Sequence, residues 1–202
     1  LGVGLQLYTK PSCPAAEVTI FLYHEQRAYP QCDQFRADAM AKVLKRKPDV
    51  AILSSLVTYS VVDPHTGKLA KRTRGQKLWR AGLTNTIRQL TKAGIKVVLL
   101  RDLPNWGFDV ADCLATYGAK DCAATPDLSP AKDDIDLPSH VPGVINFDLT
   151  DAVCSPSLCY PVRGGALVVR DDTHLSATYS AKLAPLWTAI LARVLEIQPS
   201  NP

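Results

Sequence analysis

The sequence predicts a three-layer α/β/α fold with a mainly parallel sheet. Two observations carry this expectation. Short apolar runs alternate along the chain with longer stretches of helical spacing. Two of those runs, Val50–Leu53 (VAIL) and Ile95–Leu100 (IKVVLL), are close to continuously apolar, the composition of parallel strands covered on both faces.

The elements follow in order. Gly4–Thr9 (GLQLYT) reads as a strand, and a loop rich in Pro, Tyr and Cys runs on to Cys32. Gln34–Arg46 places Phe35, Ala39, Met40, Val43 and Leu44 at helical spacing. Pro48-Asp49 turns into the strand Val50–Leu53. The polar stretch Ser60–Thr73 reads as a loop, and Leu78–Ala93 as a helix closed by Gly94. After the strand Ile95–Leu100, Arg101–Leu137 reads as a long elaborated loop with short helices, a kind of segment that often carries function. Val144–Phe147 is a short strand, and Asp148–Val153 leads away from it. Arg163-Gly164-Gly165 signals a hairpin turn within Tyr160–Arg170. Ala177–Leu195 is the final helix, with Pro185 in its first turns, where proline costs least.

The length, 202 residues, fits a single domain spanning 1–202 with a sizeable core. No apolar run reaches the roughly 18–20 residues of a membrane-spanning helix. Nothing resembles a signal peptide; Leu1–Leu5 reads as the interior of a domain already under way. The net charge is a mild +4, and the basic runs Lys42–Lys47 and Lys68–Arg74 lack interleaved aromatics, which argues against nucleic acid as a partner. Six cysteines allow fifteen pairings. They fall into three local groups: Cys13 with Cys32, Cys113 with Cys122, and Cys154 with Cys159. None has C-x-x-C spacing and no histidine stands at zinc-ligand spacing, so three local disulfides in an oxidising compartment are expected rather than a metal site. The alternative is six buried thiols in a cytosolic protein.

The segment Arg170–Ser176 (RDDTHLS) carries the chemistry. Asp171 stands three residues before His174, after a strand-like run and before an amphipathic helix. A carboxylate beside a histidine fixes the imidazole tautomer and stabilises the imidazolium that forms when the ring takes a proton from a nucleophile. The plainer reading is a helix start, with Asp172 or Thr173 as cap and His174 on the surface.

Several segments together resemble the SGNH-type (GDSL-like) domain fused to the C-terminus of bacterial membrane acyltransferase-3 proteins, which modify envelope polysaccharides by O-acylation. They are LYTKPSCPAAEV (Leu7–Val18), KPDVAILSS (Lys47–Ser55), GIKVVLLRDLPNWGFDVADCLA (Gly94–Ala115) and CYPVRGGALVVRDDTHLSATYSAKL (Cys159–Leu183). The resemblance implies a flavodoxin-like sheet of order 2-1-3-4-5. Such domains open with a strand ending in Gly-Asp-Ser, whose serine is the nucleophile. This sequence contains no Gly-Asp-Ser, so the first strand is expected to lie outside an N-terminally incomplete chain, leaving an exposed sheet edge.

By the same resemblance, His174 is the general base and then the acid, and Asp171 orients it, with the adjacent Asp172 as the other candidate. Ser55, after the Val50–Leu53 strand, is the candidate oxyanion-hole donor, against a plain strand-end turn role. Trp106, in the loop after Ile95–Leu100, is the candidate substrate-rim residue; Trp187 reads as core. Ser54, Ser55 and Ser176 are weak substitutes for the nucleophile, and His24, His65 and His140 read as surface residues. The implied function is acyl transfer, acetyl above all, to an envelope glycan hydroxyl, in an extracytoplasmic domain tethered through a fused or docked acyltransferase-3 partner, with no cofactor and no metal. The alternatives are a non-catalytic glycan-binding or docking module, and a cytosolic lipase-like hydrolase with free thiols.

Overall fold

A computed structural model describes residues 2–56, 59–125 and 141–196. The chain divides into two compact units. The sheet unit comprises Gly2–Asp102 and the described part of Pro130–Phe147; the second unit comprises the described parts of Leu103–Ser129 and Asp148–Pro202.

In the sheet unit a small hairpin, β1 (Phe21–Leu22) and β2 (Arg27–Ala28), precedes α1 (Pro30–Arg46), β3 (Val50–Ser54), α2 (Arg72–Lys92), β4 (Lys96–Leu100) and β5 (Val144–Phe147). The last three strands form a parallel sheet of order β3-β4-β5, in register Val50↔Lys96 and Val97↔Val144. Three of the four expected parallel strands are therefore present. Gly4–Thr9 is not a strand: Leu5 and Leu7 are 77% and 73% exposed, and the segment makes no ladder with a described strand. A strand needs a partner for its N–H and C=O groups, and β-propensity cannot replace one.

β4 is the centre. Val97 and Leu99 join the buried side chains of α2, among them Leu83, Ile87 and Leu90, in one core, while Val98 on the opposite sheet face is fully buried as well. β3 departs from the expectation of burial on both faces. Among the described residues it has one neighbouring strand, and Ile52 is 38% exposed. α1 begins earlier than its apolar spacing suggests, because Pro30 suits a first helical turn and Asp33 adds a favourable charge there. The loop before α1 lies on α2 at Gly82. A methyl group there would sit 2.5 Å from the Glu17 carbonyl oxygen, so only glycine permits the approach. Thr86 Oγ1 bonds the Ala15 carbonyl at 2.8 Å, and Cys13–Cys32 ties the loop to α1.

The second unit holds α3 (Val110–Tyr117), α4 (Thr150–Val153), the hairpin β6 (Val162–Arg163) and β7 (Ala166–Leu167), then α5 (Ala177–Lys182) and α6 (Ala184–Leu195). Asp109 caps α3 by accepting from the Asp112 N–H at 3.0 Å. Gly164 and Gly165 have φ of 54° and 72°, the conformation a two-residue hairpin turn requires. The expected single C-terminal helix is two helices. Leu183 separates them and Pro185, in the first turn of α6, lacks the N–H that would continue α5. Cys113–Cys122 and Cys154–Cys159 close this unit, so all six cysteines pair as their grouping suggested. The part of the long loop beyond Thr125, and His140, lie outside the described residues.

Candidate active site

The Asp171–His174 turn is built by the strand before it and the helix after it. Val168 and Val169 are completely buried and anchor its first arm. Val169 and Leu175 bridge across its neck, where the Arg170 N–H donates to the His174 carbonyl at 2.8 Å. The Ser176 N–H donates to the Val168 carbonyl at 2.9 Å, and its hydroxyl donates to the Leu167 carbonyl. The same Ser176 oxygen accepts from the Tyr179 N–H at 3.0 Å and caps α5. The helix cap is thus Ser176, not Asp172 or Thr173. A hydroxyl engaged on both sides is poorly placed as a nucleophile.

Inside the turn, Asp171 Oδ1 accepts from the Thr173 N–H at 3.0 Å and the His174 N–H at 2.7 Å. His174 Nδ1 lies 3.0 Å and 2.9 Å from the two carboxylate oxygens. Two backbone donors therefore fix the carboxylate before it meets the ring. Burial opposes its charged form, but the N–H groups of Thr173 and His174, then the imidazole, outweigh it and hold the carboxyl at about 2. The ionised Asp171 is an acceptor for Nδ1–H, which leaves Nε2 as the nitrogen able to take a proton from a nucleophile. The His174 side chain is 64% exposed, so that nitrogen is accessible.

Asp171, and not Asp172, contacts the ring. Asp172 acts on the turn in two other ways. Its carbonyl accepts from the Trp106 N–H at 3.1 Å, and its carboxylate lies 3.4 Å from Thr173 Oγ1. That hydroxyl is in turn 3.3 Å from His174 Nδ1. Arg170 Nε stands 3.4 Å from Asp171 Oδ2, on an exposed side chain where solvent screens the attraction. Thr173 and the Trp106 backbone carry no sequence signal for these roles; the Ser176 cap does, as a serine directly before a helical run.

Trp106 is only 4% exposed, and its indole N–H is buried with no partner among the described residues. A sugar-stacking surface needs an open ring face, so the rim role expected for Trp106 is replaced by one of support for the acidic turn. Trp79 is buried and stacked on Tyr59 at 5.8 Å. Ser55 belongs to the sheet unit, where its oxygen accepts from the Ala15 N–H at 3.1 Å. His24 and His65 are exposed.

Parallel strands, their connecting helices and a D-x-x-H turn ahead of a helix are the features of an SGNH-type α/β domain. The fold is similar to a solved structure, the periplasmic domain of lipopolysaccharide acetyltransferase from Salmonella ser. Paratyphi A, with a TM-score of 0.60 and 16% identity over 89% of this chain and 69% of that one. No curated protein matches the chain. The family model of the SGNH domain fused to AT3 domains matches residues 1–189, and the chain belongs to that family.

Proposed function

We propose that this chain is the extracytoplasmic part of an O-acyltransferase that moves an acyl group, acetyl above all, onto a hydroxyl of an envelope glycan. The observation that carries this reading is the Asp171–His174 pair, with a carboxylate preset by two backbone N–H groups and Nε2 left open. The nucleophilic serine lies outside these 202 residues, since the sequence holds no Gly-Asp-Ser and the Ser176 hydroxyl is engaged on both sides. The three disulfides support an oxidising compartment. No helix among the described residues is long and apolar enough to cross a membrane, and the fused AT3 domain supplies the tether in this reading.

The chemistry runs in two halves. His174 Nε2 takes the serine proton as the serine oxygen attacks the acyl carbon of the donor. The imidazolium, stabilised by Asp171, then protonates the departing group, leaving an acyl-serine. A glycan hydroxyl attacks that ester while His174 takes its proton, and collapse returns the proton to the serine oxygen and releases the acylated glycan. Water in place of the glycan gives hydrolysis. No cofactor or metal is needed for either half.

The test is a longer chain that includes the segment preceding Leu1 with its serine. Replacing His174 by alanine there is expected to lower kcat for ester hydrolysis or acyl transfer by several orders of magnitude. Activity close to that of the unaltered protein would contradict the assignment. The missing Gly-Asp-Ser also favours a second reading, a non-catalytic glycan-binding or docking module. That reading gains if the longer chain binds glycan without turning over any acyl ester.

A further inference from the structure

We infer that Arg170 is a substrate-binding residue of the Asp171–His174 site, and that it selects an acceptor sugar bearing a carboxylate or a phosphate. The inference rests on the acyl-transfer reading of that pair and adds to it the charge of the acceptor.

The first observation is position. Val169 and Leu175 bridge the neck of the turn, and the Arg170 N–H donates to the His174 carbonyl at 2.8 Å. Arg170 therefore stands across the neck from His174, and residues opposed in this way send their side chains to the same face of the ribbon. The contacts agree. Asp171 Oδ2 lies 2.9 Å from His174 Nδ1 and 3.4 Å from Arg170 Nε, so one carboxylate oxygen meets both the imidazole and the guanidinium. The Arg170 side chain is 66% exposed and open to a ligand.

The second observation is that the turn does not satisfy this guanidinium. Asp171 is already engaged: Oδ1 holds the N–H groups of Thr173 and His174, and both oxygens face Nδ1. Its closest approach to the guanidinium is the 3.4 Å contact at Nε. Asp172 does not take its place. Its carbonyl is fixed by the Trp106 N–H, its carboxylate lies beside Thr173 Oγ1, and it forms no ion pair with Arg170. Among the described residues the guanidinium makes no hydrogen bond, which leaves its Nη edge open.

The chemistry of the group selects the ligand. A guanidinium is a planar fork of N–H donors that matches carboxylate and phosphate oxygens two at a time. Its charge disfavours the imidazolium that forms when His174 takes a proton. A cation so close to the general base is therefore better matched to a substrate that brings its own negative charge. The acetyl group held on the serine is uncharged, so the anion belongs to the molecule that supplies the attacking hydroxyl. The buried Val168 and Val169 anchor the ribbon, which presents the fork from a rigid base. One sugar residue, or two neighbours, can then place a hydroxyl at Nε2 and an acidic group at Arg170.

The first test needs no turnover. The 202-residue chain is titrated with glucuronate, glucose 6-phosphate and methyl glucoside while the Arg170 Nε–H and His174 ring signals are followed by NMR. One or both acidic sugars should move the two signals, and methyl glucoside should not; the sugar that binds tells carboxylate from phosphate. Arg170→Gln, read at the His174 ring, should weaken this binding by roughly tenfold or more, the loss expected for a hydrogen-bonded charge. Arg193→Gln makes the same change of charge at an exposed position of α6 and should stay within about twofold. Equal loss in both variants, an equal response to methyl glucoside, or no shift with any of the three sugars would overturn the inference. Should Arg170→Gln fail to fold, the shifts of the unaltered chain decide. In the longer, serine-containing chain, Arg170→Gln should raise KM for an acidic acceptor by roughly tenfold and for its neutral counterpart by no more than a few-fold. A rise confined to the donor KM, or an equal loss of kcat with both acceptors, would overturn it. Absence of acyl transfer by the longer chain would strike the acyl-transfer reading instead, and the titration would still decide whether Arg170 binds an acidic sugar.

Discussion

Asp171 makes the stability of the candidate site's turn depend on pH. A carboxyl held at about 2 in the folded chain stabilises the fold above about pH 4, where the unfolded chain's carboxyl is ionised, and that contribution disappears as pH falls towards 2. Carboxyl carbon NMR is expected to place the Asp171 midpoint near 2; a midpoint at the ordinary value near 4 would mean that the two backbone N–H bonds do not hold it. Thr173 offers a graded comparison in the longer, serine-containing chain. Asp171→Asn removes the carboxylate charge and, with Oδ1 kept on the two backbone N–H groups, turns an amide N–H toward Nδ1, so it should lower kcat by on the order of a thousandfold or more. Thr173→Val removes two long contacts, with His174 Nδ1 at 3.3 Å and with the Asp172 carboxylate at 3.4 Å, and should cost only a few-fold. A larger loss from Thr173→Val than from Asp171→Asn would reverse the assigned order. The Asp171–His174 pairing was legible in the sequence because it is local, three residues within one turn. The choice between Asp171 and Asp172 was not, since adjacent carboxylates differ only in which way the turn points them. Nor was the burial of Trp106, which tertiary contacts decide.

At the scale of the elements, the turn depends on Ser176 and the loop before α1 depends on Gly82. Ser176→Ala deletes a helix cap, for about 1 kcal/mol, and removes the donor to the Leu167 carbonyl. Hydrogen exchange of the Tyr179 amide should speed up in that variant; unchanged protection would mean that the cap contributes nothing. At Gly82 two effects compete. Alanine is the better helix former by about 1 kcal/mol. Its methyl, however, would meet Glu17 O at 2.5 Å and Val18 Cγ1 at 2.7 Å, in a loop held by Thr86 and by Cys13–Cys32. Overpacking of this kind costs roughly 1–3 kcal/mol, so a net loss of up to about 2 kcal/mol is expected in urea unfolding. A stabilised Gly82→Ala variant would mean the loop moves freely. The strands Val50–Ser54 and Lys96–Leu100 were legible from nearly continuous apolar runs, Val144–Phe147 as a short strand, and the hairpin from its paired glycines. Gly4–Thr9 was not, because its alternating residues fit a strand only where a partner strand lies alongside. The division at Leu183 could have been read from Pro185, had its lack of an N–H been weighed against the helical pattern on either side.

At the scale of the whole chain, the disulfides are local closures, with sequence separations of 19, 9 and 5. In the chain-entropy model each stabilises by roughly 2–3 kcal/mol, so reduction should lower the unfolding midpoint markedly in both units. Peptide mapping without reduction is expected to recover the pairs Cys13–Cys32, Cys113–Cys122 and Cys154–Cys159; free thiols or a cross-loop pair would contradict the fold described. The family and the α/β class were legible because their signals are spread over nearly the whole length. The proposed catalytic constellation was legible only in part, since the sequence carries a histidine and its carboxylate without a serine in a Gly-Asp-Ser setting. The most direct test of that division of labour is covalent trapping. The longer chain is treated with a fluorophosphonate that captures activated serines, and the adduct is located by peptide mass spectrometry. The adduct is expected on a serine preceding Leu1, and its formation should slow by orders of magnitude with His174→Ala. An adduct on Ser54, Ser55 or Ser176, or labelling undiminished without His174, would contradict the proposal.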